Sequence, residues 1–138
     1  ATFFGFRREM AGLADVLAER VKPEKAPIET AVPNLFIVPS GSAVANPGSL
    51  ITGLKIARAL SVWRGAFDRV IVVTPPVSVA NDASVLGHEV DGMLMVVKLG
   101  TTPRRVTERA IETMATSGVK LLGCVLTNSE RLSGIDAL

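Results

Sequence analysis

Tyrosine is absent from this chain of 138 residues, and cysteine, histidine and tryptophan occur once each. A single cysteine cannot form a disulfide within the chain, and the apolar run around Cys124 predicts a buried, unreactive thiol. The one histidine, His88, lies far from Cys124 in the sequence, whereas a metal site needs several ligands that converge. The composition therefore excludes an intrachain disulfide and argues against a His/Cys metal centre.

Long hydrophobic runs and a strong charge excess are also lacking. Hydrophobic residues make up 48% of the chain, yet no apolar run approaches the roughly 18 residues that a membrane-spanning helix needs. Fifteen basic and 13 acidic residues leave a formal net charge of +2, and their signs alternate rather than cluster. This pattern predicts no nucleic-acid partner, because such proteins carry a basic stripe or patch.

Two phosphate-binding motifs do not occur in these residues. There is no Gly-x-x-x-x-Gly-Lys-Ser/Thr loop, whose backbone and lysine hold nucleotide phosphates, and no Gly-x-Gly-x-x-Gly dinucleotide turn. The chain begins Ala1-Thr2-Phe3-Phe4, with neither an initiator Met nor the pattern of a signal peptide, so we expect it to begin within a domain.

Helical and strand-like patterns alternate along the chain. Such an order, with crossovers of this length, forms right-handed βαβ units and predicts a single α/β domain over residues 1–138, with a polar tail at 129–138. We expect a parallel sheet of about four strands with helices on both faces. The predicted helices cover 12–19, 46–65, 82–89 and 103–117, and the predicted strands cover 35–38, 69–74, 92–98 and 120–127.

Helical spacing of apolar or small residues predicts the buried faces of the two longer helices. The first face consists of Leu50, Leu54, Ala57 and Ser61, and the second of Val106, Ala110, Ile111 and Met114.

The stretch before the double proline organises the predicted sheet. Val70 to Thr74 is a β-branched run, typical of a strand buried on both faces, and Pro75 and Pro76 end it because neither has a backbone N–H for a ladder. Open α/β sheets bind ligands at the carboxyl ends of their strands, so a site is expected here. Asp82 follows closely; it could organise a metal-bound water or a loop, but a helix N-cap is the favoured interpretation.

Five segments occur in a characteristic order. The first is Gly12-Leu13-Ala14-Asp15-Val16-Leu17, and the second is Pro33-Asn34-Leu35 through Pro39-Ser40-Gly41 together with Asn46-Pro47. The third is Phe67 through Val77, which includes Pro75-Pro76, together with Asp82-Ala83. The fourth is Asp91-Gly92 to Thr102, and the fifth is Leu122-Gly123-Cys124-Val125-Leu126. Together they resemble the bacterial tyrosine autokinase family of capsule and exopolysaccharide export, a branch of the MinD/ParA-like deviant P-loop ATPases. The resemblance covers about residues 3–128 and is that of the C-terminal portion of the kinase domain.

The resemblance implies an incomplete P-loop, MinD-like three-layer sandwich. It also implies vestigial nucleotide-site positions, which are Thr74, Pro75, Pro76, Asp82, Thr127 and Asn128. Val73 stands where the family has an aspartate that organises the magnesium shell, and an isopropyl group offers a hard cation neither charge nor oxygen. The family's tail carries tyrosines that become phosphorylated, and this chain has none.

These departures lead to the expectation of a noncatalytic or incomplete autokinase-like domain that acts by protein–protein interaction. No catalytic or metal-binding residue is assigned, and no cofactor is expected, MgATP included unless missing upstream motifs are supplied. The expected partner is a protein, either a polysaccharide co-polymerase or a second copy, without nucleic acid and with membrane contact only through that partner. The expected location is the cytoplasm, at the inner face of the membrane where a partner holds the chain there.

Two alternatives stay open. The chain could be the C-terminal part of a longer, ATP-binding tyrosine autokinase or MinD/ParA-like ATPase. It could instead be a scaffold module whose sheet edge accepts a partner strand, because in related folds the phosphate-loop strand lies beside the strand at 69–74.

Overall fold

The structure is a computed structural model that describes residues 10–43, 51–76 and 82–128, with the side chains of 82–84 excepted. The chain divides into two compact units, Ala1–Val73 and Thr74–Leu138. The single domain over 1–138 stays a prediction. The predicted helix start at Asn46-Pro47 and the polar tail at 129–138 lie outside the described residues.

The first unit opens with a short helix and a hairpin. Helix α1 is Leu13–Leu17, a 3-10 turn covers Pro23–Lys25, and strands β1 (Ile28–Glu29) and β2 (Phe36–Ile37) pair antiparallel. The predicted strand at 35–38 therefore exists in shorter form. Its parallel pairing is wrong, because the few residues between β1 and β2 suffice for a hairpin, whereas a parallel connection needs a dozen or more.

Helix α2 (Gly53–Ala66) supplies the core of the first unit. Its buried residues Ile56, Ala59, Leu60 and Trp63 follow the i, i+3, i+4, i+7 spacing of one helix face. The predicted face is wrong, since Leu54 is exposed. The observed stripe carries larger apolar side chains than the predicted one, and burying it removes more apolar surface from water.

Two contacts fix α2 to the rest of the first unit. The Nε1–H group of Trp63 donates to the Pro23 carbonyl oxygen at 2.9 Å, which satisfies the polar atom of a buried indole. Just beyond the helix, the rings of Phe67 and Phe36 lie 5.2 Å apart in a tilted arrangement. The helix is thus held at both the 3-10 turn and the hairpin.

The second unit contains the parallel sheet. Helix α3 (Asp82–Gly87) precedes strand β3 (Met93–Lys98), and helix α4 (Arg104–Thr116) connects β3 to strand β4 (Leu121–Thr127). The two strands pair in parallel from Met93↔Leu121 to Lys98↔Thr127. The predicted α/β class with a parallel sheet and helices is confirmed, although the parallel sheet described here has two strands rather than about four.

The core of the second unit lies between α4 and the sheet. Met114 and Val119 are buried and Met93 packs against them, while Gly118, with φ of 72°, ends the helix as predicted. Val106 and Ile111 are exposed, so the predicted inward face of α4 is correct at Met114 and wrong at these two positions. The two described strands lie about 5 Å apart and a helix is about 10 Å across, so part of the apolar face of α4 stays uncovered.

The predicted strand at 69–74 does not form. Residues 69–76 have no regular structure, and the side chains of Ile71 and Val73 are 87% and 90% exposed. A β-branched run needs a neighbouring strand and a covering layer, and no described strand pairs with this one.

Two further expectations can be compared with the structure. The thiol of Cys124 is exposed, so its predicted burial is wrong; β4 borders only β3 among the described strands, and little covers this position. No helix in the described ranges is long and apolar enough to cross a membrane.

Candidate functional site

Two of the predicted site residues meet at the carboxyl edge of the parallel sheet. Thr127 ends β4 beside Lys98, and the Leu99 backbone N–H donates to the Thr127 carbonyl oxygen at 3.0 Å. The Asn128 side-chain Nδ2 in turn donates to the Leu99 carbonyl oxygen at 3.1 Å. Asn128 has φ of 63°, a left-handed conformation that asparagine adopts more readily than most residues. The pair therefore forms an ordered corner at the edge where α/β sheets bind ligands.

The chemistry available at this corner is limited. One amide donor of Asn128 is used by the Leu99 carbonyl, and its side-chain oxygen, which accepts from no residue in the described ranges, is the acceptor offered to a ligand. The Thr127 hydroxyl is a second, exposed polar group. Such a corner can form hydrogen bonds with a ligand but supplies neither a nucleophile's base nor a metal ligand set.

The remaining predicted site residues are not brought to this corner by any described contact. Thr74 is half-buried, Pro75 and Pro76 are exposed, and none of the three forms a described hydrogen bond with Thr127 or Asn128. Asp82 begins α3, but its side chain lies outside the described part of the chain, as does Asn81. That these six positions form one nucleotide site thus stays a prediction.

The described residues do not fit a magnesium-bound nucleotide. Val73, in the position where the resemblance places the magnesium-organising aspartate, carries an exposed isopropyl group. No cluster of three or more His, Cys, Asp or Glu side chains occurs within 10–43, 51–76 and 82–128. Because Mg²⁺ requires oxygen ligands, we assign no magnesium site and derive no step through MgATP.

The most tightly organised polar group lies elsewhere, at Asp15. Its carboxylate is buried, with the residue 5% exposed, and sits at the third position of α1. Oδ2 accepts hydrogen bonds from the backbone N–H groups of Gly12 and Ser42, both at 3.0 Å. Oδ1 accepts from Arg20, from Nε at 3.1 Å and from Nη2 at 2.8 Å. We call Gly12, Asp15, Arg20 and Ser42 the Asp15 clamp.

The electrostatics of the clamp favour the ionised carboxylate. The pKa of Asp15 is lowered from 3.8 to about 2, first by the Ser42 backbone N–H and then by that of Gly12. Burial acts in the opposite direction, and Arg20 adds to the lowering. The clamp therefore holds a negative charge at the helix start, where the helix dipole also favours it.

The clamp joins α1 to a loop 27 residues away. The backbone N–H groups of Leu13 and Ala14 donate to the carbonyl oxygens of Pro39 and Ser40, at 2.8 and 2.9 Å. A methyl group at Gly12 would overlap the Pro39 carbonyl oxygen. The helix start and the Pro39–Ser42 loop thus pack backbone to backbone, which requires glycine at position 12.

The role of Asp15 is not among the predictions from the sequence. An acidic residue three positions after a helix N-cap is one half of a capping box, and this signal could have identified the bond to Gly12. The bond to Ser42 could not be identified in this way, because it joins residues that are distant in sequence.

Two curated relatives are tyrosine-protein kinases, whereas no protein-family model matches the chain. CpsD of Streptococcus agalactiae serotype III (strain NEM316) is 36% identical over 98 residues, which are 71% of this chain and 42% of CpsD. YwqD of Bacillus subtilis (strain 168) is 31% identical over 128 residues, which are 93% of this chain and 54% of YwqD. This chain thus spans about half the length of these relatives.

Solved kinase domains share the fold. The kinase domain of the Escherichia coli tyrosine kinase ETK matches with a TM-score of 0.82 and 25% identity over 89% of this chain and 48% of that chain. The VpsO kinase domain matches with a TM-score of 0.84 and 23% identity over 91% of this chain and 62% of that chain, a likeness that concerns the fold alone.

Proposed function

The chain is homologous to part of the bacterial tyrosine-protein kinases, and on this premise we propose that it is a noncatalytic or incomplete autokinase-like domain. It acts by protein–protein interaction in capsule or exopolysaccharide synthesis and export, the process with which the resembled family is associated. Its partner is a polysaccharide co-polymerase or a second copy of the chain. Its place is the cytoplasm, with membrane contact only through that partner.

The observation that carries this proposal is Val73. An exposed apolar side chain occupies the position where the resemblance places the magnesium-organising carboxylate, so this position offers no charge to the ion that phosphoryl transfer requires. The chain also has no tyrosine to receive a phosphoryl group. Both features oppose autokinase chemistry by this polypeptide.

Phosphoryl transfer tests the proposal directly. The chain is incubated with labelled ATP, magnesium and a tyrosine-containing acceptor peptide, and label in the peptide is measured against a reaction without protein. We expect no transfer above that background. Transfer of label to the peptide that scales with the concentration of the chain would overturn the hypothesis that the domain is noncatalytic.

A longer ATP-binding kinase is the second candidate, supported by the fact that the chain spans about half of CpsD and YwqD. Intact mass of the native polypeptide distinguishes the two. A mass well above 14.5 kDa, with a phosphate-binding loop in the additional sequence, favours the longer kinase. A mass near that value favours the incomplete domain.

A scaffold that accepts a partner strand is the third candidate, supported by strand β3. Among the described strands β3 pairs only with β4, and Leu94 and Val96 on one of its faces are 60% and 66% exposed. Parallel sheets are normally covered on both faces, and an edge strand presents unpaired N–H and C=O groups with which another chain can pair. Rapid hydrogen exchange of the β3 amides that are not bonded to β4, slowed when a partner is added, supports this candidate. A strictly monomeric chain in which all β3 amides exchange slowly counts against it.

A further inference from the structure

A cleft in the first unit has an apolar floor and a charged rim. It encloses about 210 Å³ between the end of α1, the 3-10 turn and α2. Val16, Leu17 and Ala59 form its floor, and all three are buried in the core. Clefts that bury a drug-sized ligand are larger, about 300–1,000 Å³, so this one accommodates a side chain rather than a whole cofactor.

Cations dominate the rim of the cleft. Lys22 follows α1, and Lys55 and Arg58 lie three residues apart on one face of α2. None of the three has a carboxylate partner among the residues that the structure describes. Glu19 is the acidic residue of the described lining, so the described part of the rim carries three positive charges against one negative charge.

The combination identifies the class of ligand. Unpaired cations above an apolar floor complement a segment that presents an apolar side chain between carboxylates, because the aliphatic stems of lysine and arginine extend the floor while their charged ends face the carboxylates. None of the lining residues that the structure describes is aromatic and could stack on a nucleobase, which disfavours single-stranded nucleic acid.

We propose that this cleft binds an acidic peptide segment of a partner protein, with one aliphatic side chain inserted between Lys22, Lys55 and Arg58. The site is independent of the predicted nucleotide positions, all of which lie in the second unit. The proposal rests on the proposed function in that it specifies the chemistry of a protein partner, and it survives if the chain proves to be catalytic.

The test uses the full chain and a fluorescein-labelled peptide in which a leucine is flanked on each side by two glutamates. Fluorescence anisotropy is expected to show saturable binding that weakens with salt. The variant with Lys55→Glu and Arg58→Glu is expected to bind at least about tenfold more weakly, whereas Glu19→Gln is expected to bind about twofold more tightly. The variant with Arg105→Glu and Arg109→Glu, which makes the same two charge reversals on exposed positions of α4, is the matched control and is expected to leave the affinity unchanged.

A change in the peptide keeps the test valid if a protein variant fails to fold. Replacing the peptide's leucine by glycine is expected to weaken binding to the unchanged chain about tenfold, because the apolar cleft then loses its occupant. The proposal is overturned if no saturable binding occurs, if the glycine peptide binds equally well, or if the α4 control variant weakens binding as much as the cleft variant. Equally tight binding of oligothymidine at the same rim would also overturn it, in favour of a nucleic acid.

Discussion

Removing the charge of Asp15 should destabilise the first unit because four hydrogen bonds converge on its carboxylate. Asp15→Asn keeps the shape of the side chain and lets one oxygen still accept from the backbone N–H groups of Gly12 and Ser42. The new amide group then faces the donors of Arg20, and that ion pair is lost. Asp15→Ala removes every acceptor and leaves two buried N–H groups without a partner.

The lowered pKa of Asp15 gives the magnitude of this loss of stability. A lowering from 3.8 to about 2 corresponds to roughly 2 kcal/mol of stability contributed by the ionised form. The Arg20 side chain is half exposed, so solvent screening reduces this to about 1–2 kcal/mol, the expected loss for Asp15→Asn. Asp15→Ala is expected to cost about 3 kcal/mol or more, since each unsatisfied buried donor costs about 1–3 kcal/mol.

The same pKa predicts how the stability of the first unit depends on pH. Because the pKa of Asp15 is lower in the folded chain than its ordinary value, this contribution is complete above about pH 4 and is lost as the pH falls toward 2. The wild-type chain should therefore lose stability in this window, and the part of the loss due to Asp15 should be missing in Asp15→Asn.

Trp63 provides the assay. It is the only tryptophan in the sequence, it is buried in the first unit, and its fluorescence reports unfolding of that unit separately from the second. Urea titrations at neutral pH and at pH 3 compare wild type, Asp15→Asn, Asp15→Ala and the control Asp68→Asn, an exposed aspartate in the same unit. The reasoning fails if Asp15→Asn is no less stable than Asp68→Asn, or if both respond identically to acid.

Three further results are expected. Gly12→Ala should destabilise the first unit by about 3 kcal/mol in urea titrations, because the new methyl group would overlap the backbone of the Pro39–Ser42 loop. Gly65→Ala, in open space within α2, should stabilise the first unit by about 0.5–1 kcal/mol. Equal effects of the two substitutions would contradict the packing described at Gly12. Glu19→Gly should raise stability by roughly 1 kcal/mol, because Glu19 has φ of 60°, and a decrease would show that this conformation is not strained. The exposed thiol of Cys124 should react with a disulfide reagent in the native chain nearly as fast as in urea, whereas strong protection would mean that this face of the sheet is covered.

Elements defined by local patterns could be predicted from the sequence. Strands β3 and β4 and helix α4 lie within a few residues of their predicted bounds, because apolar runs between turn residues and a glycine stop are local signals. The resemblance to tyrosine kinases rests on the order of short motifs, and the relatives confirm it.

Features that depend on distant partners could not be predicted. The run at 69–74 has the composition of a strand, but a strand also needs a neighbour, and the sequence does not show whether one is present. Helical spacing predicts the stripe through Leu54 as the buried face of α2, whereas the stripe through Ile56 and Trp63 is the one that packs into the core of the first unit. The bond from Ser42 to Asp15 spans too many residues for any local pattern to reveal.

Binding of MgATP tests the central claim most directly. Isothermal titration of the 138-residue chain with MgATP is predicted to give no binding heat, because Val73 supplies no oxygen to magnesium and these residues contain no phosphate-binding loop. Adding the nucleotide should also leave the thermal unfolding of the whole chain, followed by circular dichroism, unchanged, since a ligand that binds the folded state would raise its midpoint. Saturable binding with a micromolar dissociation constant would contradict the account.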